Sequence, residues 1–124
     1  MFVEDEKDYM MRMIKEMTRV LISVLLGRQM NTAEFPPENQ WLVSGSTLDD
    51  FEKMVDRGEI NEAENMLLEN LDYTNKQELL AALYFYGYIG EKDESFLQKH
   101  NYSTEEALDG IRQLAEDLGF DHLF

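Results

Sequence analysis

Acidic residues are the side chains in this sequence best suited by type to chemistry, and they crowd one stretch. Asp49, Asp50, Glu52 and Asp56 are followed by Glu59, Glu62, Glu64 and Glu69. Paired carboxylates at helical spacing can grip metal ions or divide into a general acid and a general base. A dimetal site of the ferritin kind needs inward-facing glutamates together with Glu-x-x-His. Neither His100 nor His122 has a glutamate three residues before it. The acids of residues 49–56 also alternate with Leu48, Phe51, Met54 and Val55. Those apolar residues need the core, which sends the carboxylates to solvated faces.

Other chemistry has less to start from. Cysteine is absent, which excludes disulfides, thiolate zinc sites, iron–sulfur clusters and cysteine nucleophiles. The serines lie outside any G-x-S-x-G elbow and the glycines outside any phosphate-cradling motif. His100 follows Lys99 near the end of a short helix, where a cation complements the helix dipole. No catalytic residue, metal site or cofactor is expected. The remaining clusters suit contact with another molecule. Tyr84-Phe-Tyr-Gly-Tyr88 places four aromatics in five residues, too many for one core, so one or two belong at its rim. The methionines Met10, Met13 and Met17 are adaptable core filler or a versatile contact patch. With Trp41, Tyr84 and Tyr88 they form the candidate interaction surface.

The elements that must position these residues are helical. Met10, Met13, Ile14, Met17, Val20, Leu21, Val24 and Leu25 recur at helical spacing and predict a first helix over about 8–26. Arg12, Lys15 and Arg19 share another of its faces. Residues 31–46 show no sustained period; Pro36-Pro37 rejects a helix and Gly45 marks a turn. This long loop is expected to be pinned by Phe35 and Trp41, with a short helical turn around Asn39–Val43. A helical hairpin follows at 48–71, with Thr47 and Asp50 as a capping box, Gly58 as the pivot, and Asn61 capping the second helix with Glu64 at its third position. Ala63, Met66, Leu67 and Leu71 are expected to face inward. C-terminal helices fill 75–118. One starts near Asn75 and carries Leu79, Leu80, Leu83, Tyr84, Gly87 and Tyr88 along one side. A short one follows over Asp93–His100. The last opens at the S-x-x-E box Ser103–Glu106 and stops at Gly119. The apolar tail from Phe120 to Phe124 is expected to pack back. No strand signal competes, so the fold class is all-α, a single domain of five to six helices.

Charge narrows the partners. The formal net charge is −15, all of it in residues 31–124, because residues 1–30 hold five acids and five bases. Such a field repels phosphates and anionic lipid, so neither nucleic acid nor membrane is an expected partner. The most apolar run, Val20–Leu26, is seven residues against the roughly 20 a membrane span needs. Residues 1–8 are acidic where a secretory signal would be basic, so no leader is expected.

Two resemblances rest on these motifs. Gly58, Ile60 and Ala63, in the turn G-E-I-N-E-A, are spaced as in a tetratricopeptide-type hairpin, where the small alanine lets two helices approach. Gly90, Phe96 and Ala107 do not restore that spacing, so one hairpin and no array is implied. More broadly, D-Y-M-x-R-M-I from Asp8 to Ile14, L-L-G at Leu25–Gly27, E-S-F-L from Glu94 and Y-S-T-E-E ending at Glu106 resemble a family of small uncharacterised all-helical proteins of Gram-positive bacteria. That resemblance implies an intracellular helical domain and transfers no active-site residue. A non-catalytic interaction or regulatory domain of the cytoplasm is therefore expected, with a protein partner or a second copy bound through helix 1. The alternatives are a small-ligand binder or enzyme with an aromatic pocket between helices 1 and 4, lined by Tyr84, Tyr88, Trp41 and methionines, and an acidic nucleic-acid mimic.

Overall fold

The arrangement follows from one helix that is apolar on nearly every side. A computed structural model describes residues 5–27, 42, 43 and 45–123. The described residues form six α-helices: α1 (Asp5–Gly27), α2 (Leu48–Asp56), α3 (Ile60–Glu69), α4 (Lys76–Ile89), α5 (Glu94–Lys99) and α6 (Thr104–Asp117). The fold is all-α and forms a single domain. Within α4, Leu79, Leu80, Ala81, Ala82, Leu83, Phe85, Tyr86 and Ile89 are all buried. A helix without a polar face must lie at the centre of its domain, and α1, α2 and α6 all pack on α4. The one-sided stripe expected for this helix is thus too narrow: past its first turn, only Tyr84, Gly87 and Tyr88 reach a rim.

The long helix α1 lies across α4 and α6, burying Ile14, Met17, Leu21 and Leu25 at spacings of three and four. Two expectations for the following segment are corrected. Leu42–Val43 and Ser46–Thr47 form strands β1 and β2, paired antiparallel around Gly45, and not the end of a helical turn. Each strand is two residues long, too short to leave an alternating sequence pattern. The proposed anchors Phe35 and Trp41, the rest of the turn at residues 39–41, and the terminal Phe124 lie outside the described residues. Val43 is fully buried, and β1 rests on α4.

The hairpin of α2 and α3 forms at 48–71 as the sequence implies, with different chemistry at its centre. Thr47 caps α2: its hydroxyl accepts from the Asp50 amide at 3.1 Å, and the Asp50 carboxylate accepts from the Thr47 amide at 3.0 Å. At the far end the Gly58 amide donates to the Val55 carbonyl at 2.9 Å and the Glu59 amide to the Met54 carbonyl at 2.8 Å. That pairing is a Schellman motif, which needs a left-handed residue, and Gly58 has φ +88°. The close turn starts α3 two residues early, at Ile60, with Glu59 at the cap position and no side-chain cap. Asn61 is therefore not the cap. Its side-chain amide donates instead to the Asn101 carbonyl at 3.0 Å, tying α3 to the loop before α6. Ala63, Leu67 and Leu71 face inward, but Met66 is 43% exposed, because it falls on the outer side of a short helix already filled by its neighbours.

The same ending recurs after α5 and α6. Tyr102 and Phe120 donate back to Leu97 and Ala115 at 2.9 and 2.7 Å, and both side chains are buried. The tail thus packs back through Phe120, leaving His122 and Leu123 exposed in a 3-10 turn at Asp121–Leu123. Ser103 accepts from the Glu106 amide at 3.1 Å. The Glu106 carboxylate reaches the Ser103 hydroxyl at 3.2 Å, where a full capping box would engage the backbone.

Gly58 is doubly constrained. A Cβ there would lie 2.2 Å from Nδ1 of His100, whose ring also packs on Phe96 with centroids 4.7 Å apart. Gly58→Ala is expected to destabilise by about 2 kcal/mol or more, combining a strained backbone with a displaced ring. Gly27→Ala, with open space around its Cβ, should stay within about 0.5 kcal/mol of the parent. Urea unfolding checks both, and equal midpoints would refute this account of the turn.

Candidate functional site

Two features bring polar side chains together: an open groove between α1 and α4, and a sealed carboxylate beneath α6. The groove begins where the two helices touch. A Cβ on Gly90 would meet the Ile14 side chain at 2.8 Å, and one on Gly87 would lie 3.8 Å from the Thr18 hydroxyl. The helices run antiparallel, since residues 14 and 18 stand opposite 90 and 87. Thr18 is buried and donates to its own helix, to the Ile14 carbonyl at 2.8 Å, so it adds no polar claim on the groove. Above this contact the walls part to enclose about 440 Å³. Lys15, Arg19 and Ile22 line it from α1, Tyr84 and Tyr88 from α4, Glu91 from the turn after α4, and Glu52 from α2.

The α4 wall is braced from α2. The Tyr88 hydroxyl and the Lys92 ammonium both donate to one Asp56 carboxylate oxygen, each at 2.6 Å. Lys92 also sits over the rings of Tyr88 and Phe96, 4.7 and 5.4 Å from their centroids. The Lys92 hydrogen bond, then that of Tyr88, holds the Asp56 carboxyl below the usual aspartate range. The bonded Asp56 carboxylate pushes the Tyr88 phenol and the Lys92 ammonium up. These groups are locked to one another, and they set the tilt of the tyrosine wall.

The sealed site is built on Glu64 of α3. The Tyr86 hydroxyl donates to its carboxylate at 2.6 Å. α6 crosses directly over that hydroxyl at Gly110, where a Cβ would lie 2.4 Å from the oxygen. Tyr102 brings a second buried hydroxyl toward the same carboxylate without closing a hydrogen bond. Burial raises the Glu64 carboxyl above the usual glutamate range; the two hydroxyls oppose the rise and the Glu106 charge adds to it. Burial and the Glu64 charge push both phenols up. The cluster joins α3, α4 and the α5–α6 loop, and it adjoins neither groove nor nucleophile.

The candidate residues divide between these features and a third. Tyr84 and Tyr88 line the α1–α4 groove. The methionines do not. Met17 is buried and Met10 and Met13 are half-buried. Met13 and Met17 border a separate space of about 370 Å³ with Arg112, Ala115, Glu116 and Asp121. The reason is helical geometry: Lys15 and Arg19 each lie two residues, about 200°, beyond Met13 and Met17 and so face the opposite side. Trp41 lies outside the described residues. The sequence pattern missed Ile22, Glu52 and Glu91 as groove residues, although the shared face of Arg12, Lys15 and Arg19 already pointed to the α1 wall. It also missed the Glu64 cluster, because Tyr102 is 38 residues away in the chain. Among the described residues no group of three His, Asp or Glu side chains is placed to hold a metal ion, and no helix is long and apolar enough to cross a membrane.

Against known proteins, the sequence model of a family of unknown function, DUF6483, matches residues 4–119. No curated protein and no solved structure matches.

Glu64 holds its proton more tightly folded than unfolded. The stability it contributes is therefore fully present below the ordinary value of 4.5 and is lost as pH rises through the raised folded value. Glu64→Gln removes that loss. Between pH 4.5 and about 7, wild-type stability should fall relative to the Gln variant, read as diverging urea midpoints. Parallel profiles would show that the carboxyl titrates normally.

Proposed function

This chain belongs to the DUF6483 family of unknown function, and we propose that it is a non-catalytic protein-interaction or regulatory domain of the bacterial cytoplasm. The observation that carries this reading is the α1–α4 groove. Its floor is apolar, its rim holds the half-buried Tyr84 and Tyr88, and charged groups stand at its edges. Tyrosine is enriched where proteins dock because one ring offers a large apolar face and a polar tip. A trough between two helices is the usual receptor for an amphipathic helix. The tetratricopeptide-like spacing of Gly58, Ile60 and Ala63 supports the same reading, with the hairpin acting as a brace: through Asp56 it holds Tyr88 in position.

The buried titratable cluster gives little support to catalysis. Glu64, Tyr86 and Tyr102 face one another under α6 and away from the groove. A second reading does have an observation in its favour. The groove volume, about 440 Å³, falls in the range of small-molecule sites, roughly 300–1,000 Å³.

Gly87 offers the test, because its Cβ position meets only the Thr18 hydroxyl at ordinary contact distance. Gly87→Leu should fill the groove while keeping the helical circular dichroism of the parent. Affinity capture from native lysate with mass spectrometry should recover a protein with the wild-type chain and lose it with the variant. Equal recovery by both would remove the groove from the interaction. Thermal stabilisation by a metabolite, lost in Gly87→Leu with no protein recovered, would favour the second reading.

A further inference from the structure

The charges around the groove are sorted by wall. Lys15 and Arg19 stand on the α1 side, whereas Glu91, just past the end of α4, and Glu52 of α2 stand on the other. Among the described residues neither Lys15 nor Glu91 has an ion-pair partner. Arg19 reaches only Glu16, at 3.8 Å and with both side chains largely exposed, a pair worth little. The charges are also matched in level along the groove. Ile14 touches Gly90, which puts the neighbouring Lys15 and Glu91 one residue to either side of that level, less than a turn apart. Asp56 meets Tyr88 and Phe51 meets Phe85, which sets Glu52 near residues 85–86. The Thr18–Gly87 contact places Arg19 less than a turn from that level.

Such a pattern is self-complementary. A two-fold axis running along the groove exchanges the walls and preserves each level. It lays the Lys15–Arg19 wall of one copy over the Glu91–Glu52 wall of the other, and the reverse. We infer that the occupant of the α1–α4 groove is a second copy of this chain, in a two-fold dimer that pairs Lys15 with Glu91 and Arg19 with Glu52 across copies and packs Tyr84 and Tyr88 at its centre. This inference rests on the reading of the groove as a protein-docking surface. The net charge of −15 opposes association at long range. At physiological ionic strength that repulsion is screened beyond about 8 Å, whereas contact pairs across the walls are screened less. The cations of α1 are what lets this face, on an otherwise acidic molecule, meet its own copy.

The test is a charge exchange read by light scattering at about 0.15 M salt. The wild-type chain should show twice its 14.6 kDa mass. Lys15→Glu with Arg19→Glu should raise the dimer dissociation constant at least about tenfold, and so should Glu52→Lys with Glu91→Lys. Mixing the two double variants should restore the dimer, because each repulsive wall then meets its opposite. Lys15, Arg19 and Glu91 are exposed and Glu52 is half-buried, and circular dichroism matching the wild type establishes that the variants fold. A benzophenone side chain placed at Ser23 of the otherwise wild-type protein gives an independent reading: an adduct of two chains on irradiation supports the dimer. A wild-type monomer at high concentration, or double variants that dimerise unchanged, would overturn it. A monomer whose captured partner is still lost in Gly87→Leu would leave the docking reading standing and reject only the second copy.

Discussion

A helix with almost no polar face leaves its domain little freedom. Eight of the fourteen residues of α4 are buried, and each needs apolar atoms from another element within van der Waals reach. α1, α2, β1 and α6 supply them, and the other elements take their places around this axis. Phe85 shows the density required: it packs edge-on to Phe51 of α2 at 6.2 Å and to Tyr86 at 5.5 Å. Where α4 carries Gly87 and Gly90, α1 comes close; where it carries Tyr84 and Tyr88, α1 is held off. The groove is thus a direct result of alternating small and large residues along one edge of the central helix.

Two carboxylates show how the same side-chain chemistry is turned in opposite directions by its surroundings. Asp56 is largely in solvent and accepts two short hydrogen bonds, one from a cation, so its charged form is favoured. Glu64 accepts one short bond while burial strips its water, so its neutral form gains. Both accept from tyrosines of α4 two residues apart, Tyr88 and Tyr86. The hairpin of α2 and α3 is therefore fastened to the central helix at each arm, by an exposed charged link and by a buried one.

Much of this was legible in the chain. The caps at Thr47 and Ser103, the pivot at Gly58 and the stop at Gly119 are local chemistry, decided within a few residues, and the helix ends fall there. The stripe of α1 was legible for the same reason. Less legible was which residues meet across the groove. Met13 and Lys15 lie on opposite sides of α1, so the rotational setting of that helix against α4 decides which of them faces Tyr84. The partners of Glu64 were hidden more deeply, since nothing near it in sequence marks Tyr86 or Tyr102 as its neighbours.

The sequence by itself determined the class of the molecule: all-α, cysteine-free, strongly acidic outside its first helix, with one glycine-pivoted hairpin. Those properties follow from composition and from interactions over one or two turns, which act before any long-range contact exists. Only the tertiary structure decided that Asn61 ties α3 to the loop before α6 where it was expected to cap a helix. It likewise decided that Met13 and Met17 turn toward α6, and that cations and carboxylates face each other across one groove. Each of those outcomes depends on how two helices rotate and slide against each other. That choice is made by the collective packing around α4, and no local run of residues encodes it.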